Sequence, residues 1–171
     1  MVVLWLLASL GGKAQTDWSS QFPPGRVGAD SLLRFALQAD DATRQALTHS
    51  LFPTPADCKR LLRDERLARR VYRYQRYLRR RSDLVLGPML ARQTELLLWQ
   101  ATSDELEVYE GEAQFFPGGY HELADQLAHD LVLYRAKFVE PGRRLGSAFD
   151  VLVYLNGHWR LIHRPWVILF D

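Results

Sequence analysis

Asn156-Gly157 constrains this chain more than any other pair of its residues. The dipeptide separates two runs rich in β-branched and aromatic residues, 148–155 and 158–163. Asn-Gly tolerates the two positive-φ positions of a type I′ turn, so the arrangement predicts a β-hairpin. With Leu155 and His158 flanking the turn, the opposed pairs running outward are Tyr154 with Trp159, Val153 with Arg160, Leu152 with Leu161, Val151 with Ile162 and Asp150 with His163. Side chains alternate faces along a strand. One face is therefore expected to carry Asp150, Leu152, Tyr154, Trp159, Leu161 and His163, and the other Val151, Val153, Leu155, His158, Arg160 and Ile162.

Upstream, helix signals come first. Asp30 or Ser31 caps a short helix reaching Ala39, and Asp40-Asp41 restarts a second to about Ser50. Thr54-Pro55 starts a helix in which the Thr hydroxyl caps free N–H groups, Pro is preformed at the first position and Asp57 adds negative charge in the first turn; it is expected to run to about Arg80. Leu67, Val71, Tyr74 and Leu78 form its buried stripe. Gly87-Pro88 opens a third helix carrying Leu90, Thr94, Leu97, Leu98 and Ala101 on one side. The period then changes. Residues 106–110 and 131–139 read as strands, with one or two helical turns between His121 and Leu127. Helices followed by antiparallel strands mean an α+β fold, with helices packed on one face of a twisted antiparallel sheet. If the loop near Arg143 pairs Phe138 with Ala148, then Val132, Tyr134, Ala136 and Phe138 join the covered face, and Arg135 and Lys137 the partly solvated one.

The length of 171 residues supports one domain with a real core. Residues 1–10 are an apolar run too short to span a bilayer, and Gly12-Lys13-Ala14 has the small-x-small pattern of a signal peptidase site. The division expected is a signal peptide at 1–14, an exposed lead-in at 15–27 and an α+β domain at 28–171, in a periplasmic or secreted protein with no transmembrane helix in the mature chain. The other reading of residues 1–10 is a buried N-terminal strand or helix. Cys58 is the single cysteine, which excludes an internal disulfide.

The order of helices before sheet, closed by Tyr154-Leu-Asn-Gly-His-Trp-Arg-Leu161, resembles the NTF2-like (SnoaL-like, cystatin-like) superfamily, over roughly residues 28–170. Residues 115–120 and 136–142 are also similar to small exported bacterial proteins. The resemblance implies a cone-shaped pocket between helices and sheet, used for catalysis in some members and for binding or assembly in many. Fold likeness alone does not assign an activity.

Three chemistries compete for a site. Asp150 beside His163 would make an acid–base pair, the carboxylate fixing the imidazole tautomer, with Tyr134, Leu152, Tyr154, Trp159 and Leu161 shaping a ligand pocket; the bland alternative is a self-satisfied buried pair. Half of the chain's 22 basic residues lie between Lys59 and Arg81, against Asp64 and Glu65 alone. Arg66, Arg69, Arg73, Arg76 and Arg80 follow helical spacing down one face, interleaved with Tyr72, Tyr74 and Tyr77, so an anionic partner or a simply solvated face is expected there. Thirdly, Val151, Val153 and Ile162, mixed with Arg135, Lys137 and Arg160, offer a homodimer surface. His121 and His129 with nearby acids match no metal spacing, Cys58 has no positioned histidine, and nucleotide, P-loop and Gly-x-Ser-x-Gly motifs are absent. No metal or cofactor is expected. Binding, of an unknown small molecule or an anionic surface, is favoured over catalysis, and export disfavours nucleic acid as the anion.

Overall fold

In a computed structural model of the chain, residues 17–81 and 84–169 are described; the expected signal peptide lies outside them. The helices are α1 (Arg26–Gln38), α2 (Asp41–Ser50), α3 (Pro55–Leu61), α4 (Glu65–Arg79), α5 (Ser103–Val108) and α6 (Gly119–Leu123). The strands β1 (Glu95–Thr102), β2 (Val132–Val139), β3 (Gly146–Leu155) and β4 (His158–Leu161) pair antiparallel in the order β1-β2-β3-β4. The α+β class holds.

The terminal hairpin forms in the expected register, from Leu155 opposite His158 to Leu152 opposite Leu161. Asn156 and Gly157 take φ of 50° and 81°, the left-handed pair that a type I′ turn requires. Asp40 caps α2 as expected, accepting from Thr43 N at 2.7 Å.

Three expected elements are corrected. The segment expected to form a third helix is strand β1, because Leu96 and Leu98 pack toward one core while Trp99 and Ala101 pack toward the other, a period of two that a short apolar run hides. Residues 106–110 are not a strand. Thr102 and Glu105 close a capping box, Thr102 Oγ1 accepting from Glu105 N at 3.1 Å and Glu105 accepting from Thr102 N at 2.7 Å, which starts α5. The long helix from Pro55 is broken between α3 and α4: Leu62 turns extended and bridges Leu127, Arg63 N donates to Gln126 O at 2.9 Å, and Asp64 caps α4 by accepting from Leu67 N at 2.7 Å.

Both sheet faces are covered, not one. On one side α1 and α2 bring Leu32, Leu33, Ala36, Leu47 and Leu51 onto Tyr134, Ala136, Phe138, Leu152, Trp159 and Leu161. On the other, α3 to α6 bring Leu61, Val71, Leu106, Tyr120 and Leu123 onto Leu133, Val151, Val153, Leu155 and Ile162. Val151, Val153 and Ile162 are at most 1 % exposed, so the surface expected to dimerise is interior to the chain. Nor is the lead-in free. Trp159 Nε1 donates to the carbonyls of Phe22 and Pro23 at 3.1 Å each, and Trp18 and Phe22 pack on Phe35 with ring centroids 4.8 and 5.9 Å apart. Gly28 is required here, since a Cβ would lie 1.6 Å from Pro23 O.

Candidate functional site

The α3–α4 pair is anchored before it can present anything. Thr54 and Asp57 form a capping box at the start of α3. The same Asp57 carboxylate accepts from Arg160 Nε at 2.6 Å and from Asn156 Nδ2 at 2.8 Å, tying α3 to the terminal hairpin. Burial alone would raise its pKa, but donors from Thr54 and Asn156 and the Arg160 charge together hold the carboxyl below its ordinary value. At the other end of the unit, Gln75 on α4 clamps the chain at His163, donating from Nε2 to His163 O at 2.8 Å and accepting from His163 N at 3.0 Å. Leu67, Ala68 and Val71 are buried beneath α4, while Tyr74 and Leu78 of the expected stripe are half-buried.

The opposite face of α4 is the arginine stripe. Arg66, Arg69, Arg73, Arg76 and Arg80 are all exposed, as the helical spacing predicts. Glu65 lies 3.3 Å from Lys59 Nζ and 3.4 Å from Arg69 Nη1. Among the described residues, no carboxylate comes within ion-pair distance of Arg66, Arg73, Arg76 or Arg80. Like charges three and four apart on a helix repel by a few tenths of a kcal/mol per pair, so the stripe costs α4 stability. Between α3 and α4 the stripe descends into a cleft of 540 Å³, lined by Lys59, Arg66, Arg69, Arg70 and Arg73 over Pro55, Ala68 and Tyr72. Cations surround a partly apolar floor there, an arrangement that concentrates anions.

The expected acid–base pair does not assemble as a cross-strand pair. Tyr134 pairs with Leu152 but Ala136 with Phe149, so Arg135 alone faces both Asp150 and Val151, and Phe138 meets Ser147 in place of Ala148. This β-bulge turns Asp150 away from the α1–α2 face, and its carboxylate lies 3.6 Å from Arg135 Nε on the other side. His163 follows the end of β4, where it lines a separate 520 Å³ pocket with Arg44, Tyr74, Arg81 and Arg164. The proposed ligand-pocket residues are packed against one another: Tyr134, Leu152, Trp159 and Leu161 are at most 4 % exposed, with Tyr134 and Tyr154 set edge-on to Trp159 at 5.4 and 5.3 Å. They are core.

Some clusters were not legible in the sequence. His158 Nδ1 lies 3.0 Å from Ser19 Oγ, which donates to Asp17 Oδ1 at 2.6 Å. The trio resembles a catalytic arrangement only in composition, because Ser19 is 1 % exposed and gives its proton to Asp17; it docks the lead-in on β4. Cys58 is fully buried, and burial together with Asp57 pushes its thiol up to about 12, which removes it as a nucleophile. His121 Nδ1 is 3.2 Å from Leu106 O and His129 Nδ1 is 3.8 Å from Asp104; among the described residues no group of His, Cys, Asp and Glu is arranged to hold a metal.

No family model, curated protein or solved structure matches this chain. Among the described residues no helix is long and apolar enough to cross a membrane.

Proposed function

We propose that this protein is a binding domain, not an enzyme, and that it holds an extended polyanion along α4 and in the cleft between α3 and α4. One observation carries the reading: a row of exposed arginines, of which only Arg69 meets a carboxylate among the described residues, runs into a cleft rimmed by five cations. Arg66 to Arg80 spans roughly 21 Å of helix at 1.5 Å per residue, long enough for several anionic groups of one polymer. Guanidinium groups suit phosphate or sulfate oxygens through their fork of donors, and Tyr72 in the cleft gives a flat apolar surface. Tyr77 is the single large apolar side chain exposed on α4 among the described residues, so the attraction is electrostatic, without insertion of an apolar helix face.

The apolar start of the chain supports export, and in an exported protein a phosphorylated or sulfated surface polymer is the partner to expect ahead of nucleic acid. The NTF2-like resemblance belongs to the same reading through the terminal hairpin and the order of helices before sheet. Its implied pocket is not used here, since Trp159 and its neighbours fill that space.

The test is titration of the wild type and of Arg69→Glu/Arg73→Glu/Arg76→Glu with heparin and with polyphosphate, across a series of salt concentrations. Wild-type affinity is expected to fall linearly on a log–log plot, and the variant's slope to be shallower by about 0.7–0.9 for each anionic group it no longer neutralises. A salt-independent affinity, or an unchanged slope in the variant, would overturn the proposal.

A further inference from the structure

The face that carries Val151 and Val153 is not wholly covered. Beyond α5 and α6 it continues across β2 and β1, where Lys137 stands opposite Leu97 and Arg135 opposite Trp99. There it forms a groove of 510 Å³, distinct from the α3–α4 cleft. We propose that this groove is a ligand site for an amphipathic organic anion. The apolar body would lie on Leu97, Trp99 and Phe115, and the carboxylate or phosphate head between Lys137 and Arg144.

The floor is built for an apolar body. Phe115, 45 % exposed, stacks on Trp99 with centroids 5.2 Å apart and an interplanar angle of 27°. A large exposed aromatic held flat against a second ring presents apolar area with little conformational entropy left to lose on binding. The volume lies within the range of small-molecule pockets.

The head-group end is over-supplied with positive charge. Arg135 and Lys137 both sit over the Trp99 ring, at 6.0 and 5.8 Å from its centroid, and Arg143 and Arg144 complete the wall. Glu95 is the acid in the lining, and its carboxylate accepts from Gly142 N at 3.2 Å. Asp150 stands behind Arg135 in an ion pair, 3.6 Å from its buried Nε and without a hydrogen bond, and so partly offsets that one charge. Burial and the neighbouring Arg135 charge lower the Lys137 pKa, despite an opposing pull from Asp150. Lys137 and Arg135 thus repel one another, and an anion seated beside Lys137 would relieve that. The loop bearing the arginines is also held in place: Arg92 Nε pairs with Glu140 at 2.6 Å, and Lys137 Nζ donates to Arg144 O at 3.4 Å. A site tied down before the ligand arrives loses less on binding.

The groove is independent of the polyanion stripe on α4, and calorimetry separates the two. The probes are 2-naphthoate and 2-naphthyl phosphate, with neutral 2-naphthalenemethanol and acetate as controls for head and body. Wild type should bind one equivalent of an anionic naphthyl probe, and the two probes' relative affinity tells carboxylate from phosphate. Both controls should bind at least about tenfold more weakly, the scale of one charge-assisted hydrogen bond. Lys137→Gln, Arg144→Gln and Phe115→Ala should each weaken binding by a similar factor while keeping the wild-type circular dichroism; Arg144 and Phe115 are exposed, so at least two variants test the site without touching the core. Arg69→Glu/Arg73→Glu/Arg76→Glu should bind as the wild type does. Equal affinity for the neutral probe, no effect of Arg144→Gln and Phe115→Ala, or loss of binding in the α4 variant overturns the assignment.

Discussion

At the scale of single residues, Asp57 does more than its place in a capping motif suggests. Its two oxygens take donors from Thr54, Asn156 and Arg160, so one buried carboxylate joins a helix start, a turn and a strand. Removing one member of a buried ion pair leaves the other charge without compensation, and Asp57→Asn is expected to cost about 3–5 kcal/mol in urea unfolding. Because the folded-state pKa is depressed, the stabilisation is complete above the unfolded value of about 3.9 and is lost as pH falls through the lower folded value. The variant should lack that part of the acid-unfolding limb. A variant with the wild-type midpoint and the same acid limb would show that the pair contributes nothing net. By sequence Asp57 is a charge in the first turn of a helix; nothing local announces that Arg160, far along the chain, will reach it.

Among elements, the break between α3 and α4 has the largest functional consequence. A continuous helix would carry the arginines straight past α3, whereas the turn at Leu62–Asp64 folds Lys59 back beside Arg69 and Arg73 and creates the cleft. Asp64 holds that turn as the cap of α4. Asp64→Ala is expected to lower the denaturation midpoint and to weaken heparin binding even though it removes an acid that repels the polymer. Tighter heparin binding in the variant would mean the cap does not shape the cleft. The hairpin shows the contrary case, since its register follows from two residues of turn chemistry. On the other edge of β3 the pairing with β2 is interrupted by the bulge at Asp150-Val151, which no turn signal marks.

Over the whole molecule, the sheet is a partition between two cores. That arrangement reverses what a charge on Val153 should do. On a one-sided sheet Val153→Glu would dissociate a dimer; here Val153 is 1 % exposed among Leu133, Val151 and the α3–α6 layer, so the variant buries an unpaired carboxylate. The expected outcome is a loss above about 4 kcal/mol, seen as an unfolded far-ultraviolet spectrum or a collapsed denaturation midpoint. A folded variant with halved mass in light scattering would restore the dimer interface. The same partition explains why the two candidate binding sites lie at the rim: the centre of each face is filled by helices, and cations remain exposed on α4 and, half-buried on β2 and exposed on the loop after it, around the uncovered end of β1–β2.

What the sequence determined by itself is local. Asn156-Gly157 specified the hairpin, Asp40 and Thr54-Pro55 specified helix starts, and arginines at helical spacing specified the exposed face of α4, because each depends on backbone conformations and periods contained within a few residues. The Thr102–Glu105 capping box belongs to the same class and was legible, though the alternation of residues 106–110 competed with it. Tertiary structure alone decided the rest. Whether Glu95–Thr102 becomes strand or helix depends on β2 lying beside it, and the face on which Asp150 emerges depends on one extra residue opposite Arg135. The groove over Trp99 exists only because Trp99, Phe115 and the segment from Arg135 to Arg144, distant from one another in the chain, are brought together by a sheet whose pairing energy is non-local.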